Sequence, residues 1–180
     1  VSYNGQRYGW TLATGAGIYL CHTWPTVVPG IMGLNPAKNQ TAYAYTYIYS
    51  PKRQTVGAQI EFQNYGRSEK DVAPPNGSWD YKGSDIWLNG QRIDPPTWDN
   101  SGTGGGNHET ELRNENFPAR APISVTLKKG WNKVFIKLPY IDLPAHLVRL
   151  NKWMFTFVLT DLQGHSSVPS LIYSPTPARL

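Results

Sequence analysis

The sequence predicts an all-β chain, folded as a two-layer antiparallel sandwich with long loops and at most one short helix. Three observations predict it. Gly 17 and Pro 15 punctuate the 180 residues without any repeat period, which excludes collagen-like and low-complexity chains and marks a turn-dense fold. Aromatic residues reach 13% while charged residues are only 16%, the reverse of a disordered chain. Apolar residues recur with a period of two in several runs, the spacing of strands and not of helices. A chain of this length has room for one core, and no linker-like stretch divides it, so residues 1–180 are expected to form a single domain.

The elements follow in chain order. Ile18-Tyr19-Leu20-Cys21 is an apolar run, and Cys21, the one cysteine, excludes an internal disulfide and reads as a small buried filler. Thr41–Ser50 alternates strictly, with Tyr43, Tyr45, Tyr47 and Tyr49 on one face and Ala42, Ala44, Thr46 and Ile48 on the other. Pro51-Lys52-Arg53 turns the chain into Gln54–Gln63, whose Val56, Ala58, Ile60 and Phe62 point inward, so the two runs form a hairpin. A second hairpin spans Asp85–Ile93 around Asn89-Gly90, a pair that tolerates the positive φ angles of a type I′ turn. A third runs from Ile123–Leu127 through Lys128-Lys129-Gly130 into Trp131–Leu138, with Val134, Ile136 and Leu138 on one face and Lys133 and Lys137 opposite. A short helix is expected within Leu143–Lys152. Trp153–Thr160 is apolar on both faces apart from its threonines, which predicts a central strand covered on both sides.

Charge and hydropathy exclude several classes. The chain carries 17 Lys+Arg against 12 Asp+Glu, a net charge of +5, but the cations are dispersed and form no stripe that would track a nucleic acid. No apolar run approaches the roughly 20 residues that span a bilayer, so no membrane insertion is expected. The chain begins at Val1 with no initiator Met and no signal peptide, which reads as a mature product or a piece of a longer protein.

Catalytic arrangements are hard to find. A glycosidase needs two carboxylates about 5–10 Å apart across the scissile bond. Here the twelve acids are scattered, and Glu109 and Glu111 adjoin a glycine-rich loop too pliant to hold them. No Gly-x-Ser-x-Gly elbow exists, and His22, His108, His146 and His165 have no motif partners. No catalytic residue, metal ligand set or cofactor is therefore expected. The loop acids Asp80 and Asp85 are those a structural calcium would use.

Two long irregular stretches, Asn64–Ser84 and Asp94–Ala121, draw attention because long loops in compact domains are usually functional or pinned to a neighbour. Their aromatics suit sugars, whose apolar C–H faces stack on rigid rings while polar side chains bond the hydroxyls. Trp79, Tyr81 and Trp98 lie near Arg67, Asn76 and Asp80 in sequence, although such rings more often plug the ends of a sandwich. The four-tyrosine face has three readings: core, a face docked on another domain, or an open sugar platform.

Several blocks resemble a known family. Gly15-Ala16-Gly17-Ile18-Tyr19-Leu20-Cys21-His22-Thr23-Trp24 resembles a segment just after the catalytic barrel of Bacteroides-type β-N-acetylhexosaminidases of glycoside hydrolase family 20. So do residues 41–52, 61–71, Trp79-Asp80-Tyr81-Lys82-Gly83-Ser84, Ile86-Trp87-Leu88-Asn89-Gly90, Pro95-Pro96-Thr97-Trp98, Gly130-Trp131-Asn132-Lys133-Val134 and Asn151-Lys152-Trp153-Met154-Phe155. The resemblance covers nearly the whole chain. Cys21 stands where the family more usually has Arg. The Trp-Leu-Asn-Gly hairpin and the Leu-Lys-Lys-Gly-Trp-Asn-Lys-Val segment are also similar to galactose-binding-like jelly rolls appended to glycosidases.

The resemblance implies a non-catalytic C-terminal accessory domain, a galactose-binding-like jelly roll, of an exported enzyme that is periplasmic, extracellular or at the cell surface. The family's catalytic Asp-Glu pair belongs to a barrel outside this chain, so no catalytic residue carries over. Two functions are compatible with this. In one, the domain buttresses the catalytic barrel of its parent chain through Tyr43, Tyr45, Tyr47 and Tyr49 or through the loop bearing Arg67 and Asp71. In the other, it is a lectin-like carbohydrate-binding module for N-acetylhexosamine- or galactose-containing glycans, with Arg67, Trp79, Asp80 and Trp98 as contacts. The structural role is preferred, and an autonomous hydrolase is disfavoured for lack of paired acids.

Overall fold

The computed structural model describes residues 2–22, 26, 30–33, 36–62, 72–103, 120–144 and 152–178. Among these residues every regular element is a strand. A small hairpin of β1 (Ser2–Tyr3) and β2 (Gln6–Arg7) precedes two antiparallel sheets. The four-stranded sheet has the order β3-β10-β5-β8, built from β3 (Gly17–Cys21), β10 (Trp153–Thr160), β5 (Gln54–Glu61) and β8 (Ile123–Leu127). The five-stranded sheet has the order β11-β4-β9-β6-β7, built from β11 (Ile172–Ser174), β4 (Gln40–Ser50), β9 (Gly130–Tyr140), β6 (Asp85–Leu88) and β7 (Gln91–Arg92). The all-β sandwich expected from periodicity is the observed architecture. The short helix expected within Leu143–Lys152 falls on a stretch of which residues 145–151 lie outside those described.

The alternation that marks each strand decides what it buries. Val56, Ala58 and Ile60 of β5 pair in register with Val125 and Ile123 of β8 and with Phe157 of β10, and these inward positions join the core. From the other sheet come Ile48 of β4, Ile86 of β6, and Val134, Ile136 and Leu138 of β9. Trp153 ties the layers together: its ring stacks on Tyr140 of β9 at 4.8 Å, and its Nε1 donates to the Leu138 carbonyl at 3.0 Å. Close backbone approach also shapes the interior. A Cβ at Gly57 would lie 2.3 Å from the Asp161 carbonyl oxygen, so β5 passes under the loop after β10 only because that residue has no side chain.

Strand β10 is central, as expected, but it is not covered on both sides. Residues Met154–Val158 are half-buried, because the outer face of the four-stranded sheet has no second layer over it among the described residues. Of the three hairpins expected, only β6–β7 pairs. Strands β4 and β5 lie in different sheets, as do β8 and β9, so the turns at 51–53 and 128–130 carry the chain from one layer to the other. The ladders formed are β4–β9 and β5–β8. Asn89 and Gly90 take φ values of 53° and 83°, both left-handed, which gives the β6–β7 turn the twist its strands need.

Candidate functional site

The tyrosine face is not core. Ile48 and Ser50 of β4 are buried, so the face carrying Ala42, Ala44 and Thr46 points into the sandwich and the tyrosines point out. Tyr43 is 59% exposed and Tyr45 47%, while Tyr47 and Tyr49 are half-buried. Register then shows what stands beside them. Across the β4–β9 ladder, Tyr43 opposes Lys137, Tyr45 opposes Phe135, Tyr47 opposes Lys133 and Tyr49 opposes Trp131. Phe135 in turn opposes Trp87 of β6.

One outer sheet face therefore carries four tyrosines, two tryptophans, a phenylalanine and two lysines. The rings touch. Tyr43 stacks on Phe135 at 5.4 Å with planes 18° apart, Trp87 meets Phe135 at 5.9 Å, and Tyr49 meets Trp131 edge-on at 5.5 Å. Lys133 lays its ammonium 5.7 Å from the Phe135 ring centroid. Where β6 turns into β7, Trp87, Gly90, Lys133 and Phe135 enclose a shallow groove of about 260 Å³.

A buried amide holds this corner. Asn132 is 0% exposed, and its Oδ1 accepts from Lys128 N at 2.9 Å and from Asn89 Nδ2 at 2.8 Å. Its Nδ2 donates to the carbonyls of Lys128, Gly130 and Ile48. Asn89 completes the tie by accepting from Lys133 N and donating its own N–H to the Lys133 carbonyl. The β8–β9 turn and the β6–β7 turn are thereby locked to each other and to β4.

The tryptophans expected to bind sugar are interior. Trp79 is 2% exposed, packs edge-on against Phe62 at 5.6 Å, and gives its Nε1 hydrogen to the Ile93 carbonyl. Trp98 is 2% exposed, donates its Nε1–H to the Ser78 carbonyl, and has the Arg120 guanidinium 4.5 Å over its ring. Neither ring has a free face for a pyranose. Trp79 plugs its loop into the sandwich core and Trp98 packs its loop against Ala73, Val72, Tyr81 and Leu143, because a large apolar ring with one N–H is more stable buried and bonded than exposed.

Asp80 is interior as well. Its carboxylate accepts from Lys82 N, Ser84 N and Ser84 Oγ, with Lys82 Nζ at 3.3 Å. A carboxylate already ringed by donors and an ammonium is not placed to meet a sugar hydroxyl or a calcium ion. Asp85, the other acid a structural calcium would use, accepts from Arg92 Nε with both oxygens, at 2.9 and 2.8 Å, and from Ile86 N at 3.1 Å. Arg67 and Asp71 lie outside the described residues, as do Glu109, Glu111, His108 and His146.

The remaining polar features are also engaged. Glu61 is buried and receives Arg120 Nη2 at 2.5 Å; burial pushes its carboxyl above the ordinary range, and Arg120 opposes that rise. Asp161 accepts from Gln163 N, His165 N, Ser166 N and Ser166 Oγ, with the hydroxyl the leading cause, and its pKa falls to about 2. Among the described residues, no group of three or more His, Cys, Asp or Glu side chains converges in a way that could hold a metal ion. No described helix is long and apolar enough to cross a membrane.

Sequence reasoning singled out the tyrosines but passed over Trp87, Trp131 and Phe135. The signal was present: Trp131 and Phe135 share odd positions with Lys133 and Lys137, and Trp87 shares parity with Asp85. Cross-strand register was needed to place these rings on one face. Comparison with protein-family models, with curated proteins and with solved structures gives no match.

Proposed function

We propose that the chain is a non-catalytic accessory module of an exported glycan-processing hydrolase, of the β-N-acetylhexosaminidase type its sequence resembles, and that its tyrosine face docks on the catalytic barrel of the same parent chain. The observation that carries this is the position of Tyr43 and Tyr45, held on a rigid sheet yet left about half in water. Together they expose about one tyrosine's worth of surface, roughly 200 Å². At about 25 cal/mol per Å², covering it is worth at most about 5 kcal/mol before association costs. Tyrosine, tryptophan and phenylalanine are the residues enriched in interfaces, where a ring must be apolar on its face and wet at its edge. Trp10 and Leu12 add exposed apolar surface on the extended segment before β3.

Six of the seven described acids support a non-catalytic role: Glu61, Asp80, Asp85, Asp94, Asp142 and Asp161 are each held by an ion pair or by turn N–H and hydroxyl donors. The test is the double substitution Tyr43→Ser with Tyr45→Ser, made in the parent protein and in this chain alone. The parent is expected to lose several degrees of melting temperature while the isolated chain changes little. Equal behaviour of the parent with and without the substitutions would overturn the docking reading.

A further inference from the structure

We propose that the groove between Trp87, Gly90, Lys133 and Phe135 binds one anionic sugar ring, a pyranose carrying a sulfate or a carboxylate. This site lies on the β6–β7 side of the outer face, beyond Phe135 from the tyrosine column, and does not depend on the docking reading. Its size limits the ligand. About 260 Å³ is below the roughly 300–1,000 Å³ of pockets for drug-sized molecules, so it takes a single ring.

The walls select the ring's chemistry. Trp87 and Phe135 present two aromatic surfaces at 46° to each other, suited to stacking on the apolar C–H face of a sugar. A Cβ at Gly90 would meet nothing within 4 Å, so the turn leaves its side of the groove open to a ligand. An extended peptide has no purchase here. Trp87 is paired with both Arg92 and Phe135, and Phe135 also with Tyr45, so neither strand offers a free edge at the groove.

Charge supplies the anion preference. Arg92 is committed to Asp85, Asp94 and the Gly77 carbonyl. Lys133 and Lys137 take part in no ion pair among the described residues, and Lys133 lines the groove. The Lys133 ammonium rests over the Phe135 ring, an exposed and weak contact that a sulfate or carboxylate readily displaces.

The test titrates glucose 6-sulfate, glucuronic acid and glucose onto the full chain at low salt, followed by tryptophan fluorescence and by two-dimensional NMR. At least one acidic sugar is expected to bind in the millimolar range about tenfold more tightly than glucose, the ratio of one charge-assisted hydrogen bond. Whichever acidic sugar binds more tightly identifies the anion as sulfate or carboxylate. Trp87→Ala should abolish binding of all three. Lys133→Gln, an exposed change that leaves the fold alone, should bring the acidic sugars to the level of glucose. Tyr45→Ser alone, which keeps the Tyr43–Phe135 stack, should leave sugar binding intact, which separates this site from the docking surface. Equal affinity for acidic and neutral sugars, no binding of either acidic sugar, or an acid preference that survives Lys133→Gln would overturn the proposal.

Discussion

Replacing Asn132 with alanine should unfasten the corner on which the groove is built. The amide is fully buried and makes five hydrogen bonds, two through Oδ1 and three through Nδ2. Truncation removes all five, but the losses are unequal. Lys128 and Asn89 are exposed and regain water, so their donors are compensated. The Ile48 carbonyl is reached by a bond buried throughout, and water replaces that bond poorly. Counting next to nothing for the two rehydrated donors, about 0.5 kcal/mol for each of the bonds to the Lys128 and Gly130 carbonyls, and up to about 2 for the buried one gives a loss of roughly 3 kcal/mol. For a chain of this size that is a drop of about 6–12 °C in melting temperature. Thermal unfolding followed by circular dichroism reads it directly. A drop below about 3 °C would refute the reasoning, because Asn132 would then be a spectator and not the tie between the two turns.

Other perturbations follow from the same geometry. Arg120→Leu leaves the Glu61 carboxylate buried without its partner and should cost about 3 kcal/mol in urea unfolding at neutral pH. Since burial already raises the Glu61 pKa, and losing Arg120 raises it further, that deficit should shrink as the pH is lowered and the carboxyl takes up a proton. Asp161 has the opposite sign. Its folded pKa of about 2 lies below the unfolded value, so its contribution is present above the unfolded value and lost as pH falls toward 2. Asp161→Asn should therefore be less stable than the parent chain at pH 6, with the gap closing between pH 5 and pH 2 in an acid titration, as estimated from the roughly 3.9 of an unfolded Asp. Gly57→Ala forces a methyl into the Asp161 carbonyl and should destabilise by roughly 2 kcal/mol by the same thermal assay.

Much of the scaffold was legible because a half-buried strand must alternate. The runs in β4, β5 and β9 were each readable from residues two apart, and Asn89-Gly90 announced its turn through the one backbone conformation those residues favour. What periodicity could not decide was which face of β4 turns inward. Tyrosine is compatible with either side, and only the neighbouring Ile48 and Ser50, sealed by the opposite sheet, settle it. Strand β10 misled in the other direction. Its apolar run suggested cover on both faces, whereas centrality in a sheet seals a strand's edges and not its faces.

The candidate sugar contacts Trp79, Asp80 and Trp98 are buried for a related reason. Trp79 and Trp98 sit in proline-rich loops, where a ring can plug the fold or face a ligand, and here each finds a carbonyl for its N–H and is buried. The half-exposed rings that cluster lie instead on strands β4, β6 and β9. Trp87, Trp131 and Phe135 look individually like core residues, and they become a surface only once the registers β4–β9 and β9–β6 set them beside the tyrosines. Those registers depend on turns far apart in the chain, tied by Asn132 and Asn89, which no local window contains.

Hydroxyl-radical footprinting of Tyr43 and Tyr45 tests the docking claim most directly, performed on this chain alone and on the parent protein that contains it. Docking predicts ready oxidation of both rings in the isolated chain and strong protection of both in the parent. Equal oxidation in the two settings would contradict it.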